Sequence, residues 1–229
     1  MNPPNAPGPT FLKGIDVSYF QRAVDWSAVA AAGIQFCFIK ATEGASHVDA
    51  RFSYNWRAAA EAGLARGAYH FFHPAISVTA QADLFLRTVP RLEAGDLPPV
   101  LDLEAPEEWQ GVPMLHRAQL VLSWLNAVED RLHRTPILYL SPAFMSDVLH
   151  NASVLAQYPV WLAQYTTDPA PDVPQPWTKW TFWQHTRQGS MPGVLSRVDL
   201  NRFNGTLDEL KALGRAPLPA PAASETSPA

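Results

Sequence analysis

Short apolar runs alternate with stretches of helical periodicity along the first two thirds of the chain. The runs at 13–18, 36–42, 66–72, 98–104 and 136–141 read as strands, each short, apolar or alternating, and bounded by turn formers. Helical patterns follow them at 26–32, 52–62, 77–89, 113–132 and 143–149. Gly33 and Gly63 stop the first two helices, and Pro113 opens the fourth where its missing N–H costs nothing. Beyond residue 149 the rhythm changes. The runs at 160–165, 180–185 and 197–201 read as strands separated by Pro-rich loops too short for a full helix, with a last short helix at 207–213. Repeated strand–helix units call for parallel pairing with right-handed crossovers, and eight strands are enough to close a ring. The expected fold is therefore α/β, an irregular eight-stranded β/α barrel of five β/α units plus three strands with little helix. An open doubly wound sheet is the alternative.

Composition narrows this picture without changing it. The chain of 229 residues is 47% hydrophobic and 17% charged, as expected of an ordinary globular protein. The segments 1–10 and 214–229 are rich in Pro, Ala and Ser and bury little, so both are expected to be flexible tails around a catalytic domain at 11–213. A net charge of −4 with no Lys/Arg run gives no footprint for nucleic acid. No stretch approaches the roughly 18 apolar residues of a membrane span. Cys37 sits in the apolar run Phe36-Cys37-Phe38-Ile39 and reads as a small buried hydrophobe. The opening Met1–Thr10 has neither the basic start nor the apolar core of a secretory signal, so synthesis in the cytoplasm is expected.

The chemistry gathers at strand ends, where barrel enzymes keep their active sites. In Leu101-Asp102-Leu103-Glu104 the two acids lie two apart, so they share one face of the strand. Carboxyl groups held together repel, which keeps a proton on one of them near neutral pH. Asp16 ends the first strand and Asp199 lies in the eighth; in a closed barrel these strands are neighbours, which sets both acids across the mouth from Asp102 and Glu104. Other strand ends bring Lys40 and Glu43, Tyr69, Tyr139, Trp161 and Gln164, and Trp183 and Gln184. Taken singly, each of these is more simply a cap, a turn residue or a core side chain. Four converging acids are costly to bury for the sake of a fold alone. They suit either a hard-cation site for phosphoryl chemistry or glycoside cleavage by an acid and a carboxylate. Trp161, Trp177, Trp180 and Trp183 favour the sugar reading, and no basic or Gly-rich phosphate cradle is evident. His70 and His73 lack the spacing and the third ligand of a zinc site, and no Gly-x-Ser-x-Gly elbow is present. No metal and no cofactor are expected.

The ordered set Gly14-Ile15-Asp16-Val17-Ser18, Ile39-Lys40-Ala41-Thr42-Glu43-Gly44, Arg66-Gly67-Ala68-Tyr69-His70-Phe71, Leu101-Asp102-Leu103-Glu104, Trp161-Leu162-Ala163-Gln164-Tyr165, Trp183-Gln184 and Val198-Asp199-Leu200-Asn201 resembles the glycoside hydrolase family 25 muramidases. The resemblance implies a flattened barrel of five β/α units and three further strands. It also implies hydrolysis of the β-1,4 bond between N-acetylmuramic acid and N-acetylglucosamine in peptidoglycan. It makes Glu104 the general acid and Asp102 its partner, either attacking the sugar or steering the substrate's acetamido group. Asp102 lies beside Glu104 rather than on the opposite face of a sugar, which favours the second role. Asp16 and Asp199 become further active-site acids raising Glu104 by like charge. Tyr69, Tyr139, Trp161, Gln164, Trp183, Gln184, Lys40 and Glu43 become substrate contacts, with a Lys40–Glu43 ion pair an equal reading. Chitin hydrolysis and a catalytically silent glycan-binding barrel are the rivals. The expected partner is the glycan strand of the cell wall, met by a monomer. Delivery would be as a phage endolysin, a secretion-system effector with an unidentified immunity or secretion partner, or a leaderless secreted enzyme.

Overall fold

The computed structural model describes residues 11–215. The tails expected at 1–10 and, from residue 216 onward, in 214–229 lie outside the described residues. The first half alternates β1 (Leu12–Val17), α1 (Trp26–Ala31), β2 (Phe36–Glu43), α2 (Phe52–Glu61), β4 (Ala65–Phe71) and α3 (Val78–Thr88), with a two-residue strand β3 (His47–Val48) after β2. Then come β5 (Val100–Asp102), α4 (Met114–Leu132), β6 (Ile137–Leu140), α5 (Pro142–Asp147) and β7 (Val160–Ala163). The chain closes with β8 (Phe182–Met191), β9 (Val194–Phe203) and α6 (Leu207–Leu213). Helix starts follow local chemistry. The side chains of Asp25, Ser77, Ser141 and Thr206 each accept from a first-turn N–H, and Glu209 completes a capping box with Thr206.

β1 pairs in parallel with β2, and β2, β4, β5, β6, β7 and β8 continue the parallel run. β9 pairs antiparallel with both β8 and β1 and closes the ring. β3 only extends β2, so eight of the nine strands form the barrel, as the pattern predicts. The connection before the last strand differs from expectation. Instead of a Pro-rich loop, β8 and β9 form a hairpin turning at Pro192-Gly193. Gly193 has φ +88°, and a β-carbon there would run into Asp25 O, so only glycine suits this corner. Asp25 N donates to Gly193 O at 2.9 Å, and Val24 bridges Val194, which ties the turn to the start of α1.

Strand alternation sorts the core into two shells. Phe36, Phe38, Val100, Ile137, Tyr139, Trp161, Phe182 and Phe203 fill the barrel, with Phe38 stacked on Trp161 at 4.4 Å. Residues one position along, such as Cys37, Ile39, Leu101, Leu138, Leu162 and Trp183, face outward; most of them pack against helices carrying Val29, Phe85, Trp124 and Val128. Aromatic residues thus plug the lower barrel and leave its upper end to polar side chains. Among the described residues no helix is long and apolar enough to cross a membrane.

Candidate active site

A cavity of about 410 Å³ opens at the C-terminal ends of the parallel strands, lined by Asp16, Tyr69, Asp102, Glu104, Tyr139, Trp161, Gln184 and Asp199. Phe20, Gln21, Tyr165, Arg187 and Arg197 complete its rim. A second lobe of about 320 Å³ shares Glu104, Tyr139, Tyr165 and Arg187 and runs on past Pro106, Ser141, Phe144 and Asp147. Glu104 therefore stands where the two lobes of one cleft meet. A chain of sugars can lie across such a cleft with a linkage at the carboxyl.

The four acids form two pairs. Asp102, inward-facing like Val100, is 4% exposed. Its carboxyl reaches that of Glu104, just beyond the strand end. Burial, and then the Glu104 charge, raise Asp102 well above the usual carboxylate range, although Lys40 pulls the other way. Glu104 is also raised, chiefly by burial, against the pull of Asp102 and Lys40. Its surface is open to solvent along the cleft, so its rise is the smaller of the two. Close carboxyls of this kind hold one proton between them near neutral pH. Like charge from Asp199 contributes to the rise of Glu104, but burial outweighs it.

Asp16 and Asp199 are direct cross-strand partners of β1 and β9. Because β9 runs antiparallel, it is the N-terminal half of that strand, not its end, that reaches the mouth. Burial and the Asp199 charge raise Asp16 well above its ordinary value, and burial raises Asp199. Two amides hold Asp16: Gln184 Nε2 donates to its Oδ2 at 2.9 Å and Asn201 Nδ2 at 2.7 Å. Gln184 Oε1 in turn accepts from the hydroxyls of Tyr139 at 2.9 Å and Tyr165 at 2.7 Å. Asn201 Oδ1 accepts from Trp161 Nε1 at 2.9 Å. Burial and the surrounding acids keep the Tyr69 and Tyr139 phenols protonated, and burial with Asp199 pushes Tyr165 up to about 12.

The remaining expected residues fall elsewhere. Lys40 Nζ donates to Glu43 Oε2 at 2.6 Å, and neither lines the cleft. Glu43 Oε1 also meets His73 Nε2 at 3.1 Å, and His73 Nδ1 meets Glu108 at 2.7 Å. This chain ties the 3-10 turn Pro106–Trp109, which follows Glu104, to β2. Between them, Ala105 takes a left-handed φ of +52°, a strained turn directly after the acid. Trp183 is corrected: with Phe182 and Gln184 inside, alternation sends it outside, 1% exposed, where its Nε1 donates to Gln164 O at 2.8 Å. Gln164 binds Asp172 in a loop and does not line the cleft. Trp177 and Trp180 are buried around the opposite end of the barrel, so only Trp161 of the expected sugar-stacking tryptophans reaches the site. His70 is buried between Thr42 and Gln81 at 2.7 and 3.2 Å, and burial lowers it to about 4. Among the described residues no group of three or more His, Cys, Asp or Glu side chains is arranged to hold a metal ion. Tyr165, which the sequence places at a strand end with Trp161 and Gln164, joins the rim, whereas Arg187, Arg197 and Phe20 are absent from the expected site. Tyr165 follows the end of β7, Arg187 and Arg197 lie on the β8–β9 hairpin where the register slips, and Phe20 lies in the short 3-10 turn after β1, so simple strand alternation does not give their directions.

Paired carboxyl groups raised above their ordinary range, in a two-lobed cleft at the mouth of a β/α barrel, are the equipment of one class of protein: a glycoside hydrolase. The sequence profile described as Glycosyl hydrolases family 25 matches residues 15–194, and the chain belongs to that family. The protein YegX of Escherichia coli is 42% identical over 206 residues, covering 88% of this chain and 72% of its own. Lysozyme M1 of Streptomyces globisporus is 38% identical over 210 residues, covering 88% and 71%. The crystal structure of the bacterial lysozyme from Streptomyces coelicolor matches with a TM-score of 0.85 at 36% identity, over 90% of this chain and 97% of that one.

Proposed function

We propose that this glycoside hydrolase cleaves the β-1,4 bond between N-acetylmuramic acid and N-acetylglucosamine in the peptidoglycan of the cell wall. In this reading Glu104 is the general acid, and Asp102 is the carboxylate that steers the substrate's own acetamido group. The observation that carries the assignment is the Asp102–Glu104 carboxyl pair: buried Asp102 reaches Glu104, both are raised above the ordinary carboxylate range, and the open member, Glu104, faces the junction of the two lobes.

The chemistry follows from that pair. Sugar binding expels water from the cleft and raises Glu104 further, which draws the shared proton onto it. Asp102 is then an ionised acceptor. Its Oδ1 is buried without a hydrogen-bond partner among the described residues, a position suited to the acetamido N–H. The acetamido oxygen attacks the anomeric carbon as Glu104 gives its proton to the departing glycosidic oxygen. Water then opens the cyclic intermediate, and Glu104, now a base, takes back a proton. Substrate assistance is a known exception to the scheme of two carboxylates on opposite faces, and two adjacent carboxylates suit it.

Mass spectrometry of digested cell wall tests this reading. Products ending in reducing muramic acid are expected; reducing glucosamine ends, or cleavage of chitin at a comparable rate, would overturn it.

A further inference from the structure

The cleft is acidic, yet the glycan assigned to it is an anion. Each muramic acid carries a lactyl ether whose carboxyl is either free or joined to a peptide with carboxylates of its own. Among the described residues two cations line the lobes, Arg187 and Arg197, and of these Arg187 lines both. Arg197 is engaged, its Nη1 donating to Gln188 O at 3.1 Å. Arg187 makes no hydrogen bond or ion pair among the described residues; its guanidinium carbon lies 5.6 Å from the centre of the Tyr165 ring. The register of β8 against β9 slips between Gln184 and Thr186 and again between Thr186 and Gly189. Such bulges turn a strand and re-aim its side chains, here lifting Arg187 over the junction where Glu104 stands.

Resting on the muramidase reading above, we propose that Arg187 is a specificity-determining residue that receives a carboxylate of the muramyl substituent. The planar guanidinium offers two parallel N–H donors to a carboxylate, a geometry Lys cannot reproduce. A neutral N-acetylglucosamine polymer has nothing to place there, so Arg187 separates muramyl glycans from chitin-like ones. It also offsets the repulsion between an anionic strand and Asp16, Asp102, Glu104 and Asp199.

The test uses the full chain and its Arg187→Gln variant on three substrates. Peptide-bearing wall presents peptide carboxylates; amidase-stripped strands present lactyl carboxylates; wall whose carboxyls have been amidated presents neither. Arg187→Gln is expected to lose about tenfold or more in kcat/KM on at least one carboxylate-bearing substrate, mostly through KM, and several-fold less on amidated wall. The arm with the larger loss identifies the carboxylate, and Arg187→Lys is expected to recover part of it. Equal loss on all three substrates would overturn the proposal, because removing the Arg187 charge beside Asp199 acts on every substrate alike. Failure of the wild-type chain on every wall substrate would instead sink the muramidase reading.

Discussion

The two acid pairs face each other across one cleft and are built differently. Asp16 is clamped by two amide donors, from Gln184 and Asn201, which are themselves anchored by Tyr139, Tyr165 and Trp161. Asp102 has no such clamp; its neighbours are Glu104, the Lys40 charge and an unmatched buried oxygen of its own. A clamped carboxyl is held in place and gives up little when substrate arrives. An unclamped pair can pass a proton and accept a new donor. In the proposed mechanism this contrast corresponds to positioning and field from Asp16–Asp199 and reaction at Asp102–Glu104.

Substitutions break this contrast in graded steps. Glu104→Gln is expected to lose about 10³-fold or more in kcat on cell wall with the fold retained, as read by turbidity loss and circular dichroism. Asp102→Asn is expected to lose about 10²-fold in kcat while gaining thermal stability at neutral pH. The sign follows from the raised folded-state value: above the ordinary carboxylate range the folded chain binds more protons than the unfolded one. Stability from this group therefore falls as pH rises toward the folded value. Melting temperature against pH checks this, because that fall should be smaller in Asp102→Asn. Asp199→Asn is expected to cost only about tenfold, and to move the alkaline limb of the rate profile to lower pH by removing a charge that raises Glu104.

The smallest effect belongs to His73, which lies outside the cleft. Although burial lowers it, Glu108 and Glu43 win and raise His73 above its ordinary value. The tether from the turn after Glu104 to β2 is therefore complete below the ordinary histidine range and lost as pH rises through the raised value. Hydrogen-exchange protection over 105–112, taken relative to the intrinsic rate at each pH, should fall with rising pH in the wild type; in His73→Gln it should be low throughout, with a few-fold loss of activity.

Much of this is legible in the sequence alone. Helix-length spacing between apolar runs predicts the barrel, and period-two alternation puts Asp102 with Val100 inside and Leu101 and Leu103 outside. The same rule, applied consistently, separates Trp183 from Gln184: adjacent residues of a strand cannot both face the cleft. Gln164 fails for the same reason, being out of phase with Trp161 and Ala163 on β7. The hairpin is signalled by Pro192-Gly193, a turn-forming dipeptide and the site of the one proline between Pro176 and Pro217; the Pro-rich loop expected here belongs to the connection before β8. Arg187 was not legible, because bulges break the alternation on which its direction depends. Nor could the sequence show that amides clamp one pair and spare the other, since that depends on side chains 168 and 185 positions away from Asp16.

The central claim is that Glu104 delivers the proton to the leaving oxygen, and the most direct measurement is the leaving-group dependence of Glu104→Gln. On cell wall, where the departing sugar hydroxyl needs that proton, the variant is expected to lose about 10³-fold. On an aryl glycoside of the muramyl disaccharide with a nitrophenol leaving group, which departs unprotonated, its first step should stay within about tenfold of wild type in a single-turnover burst. An equal loss on both substrates would contradict the account.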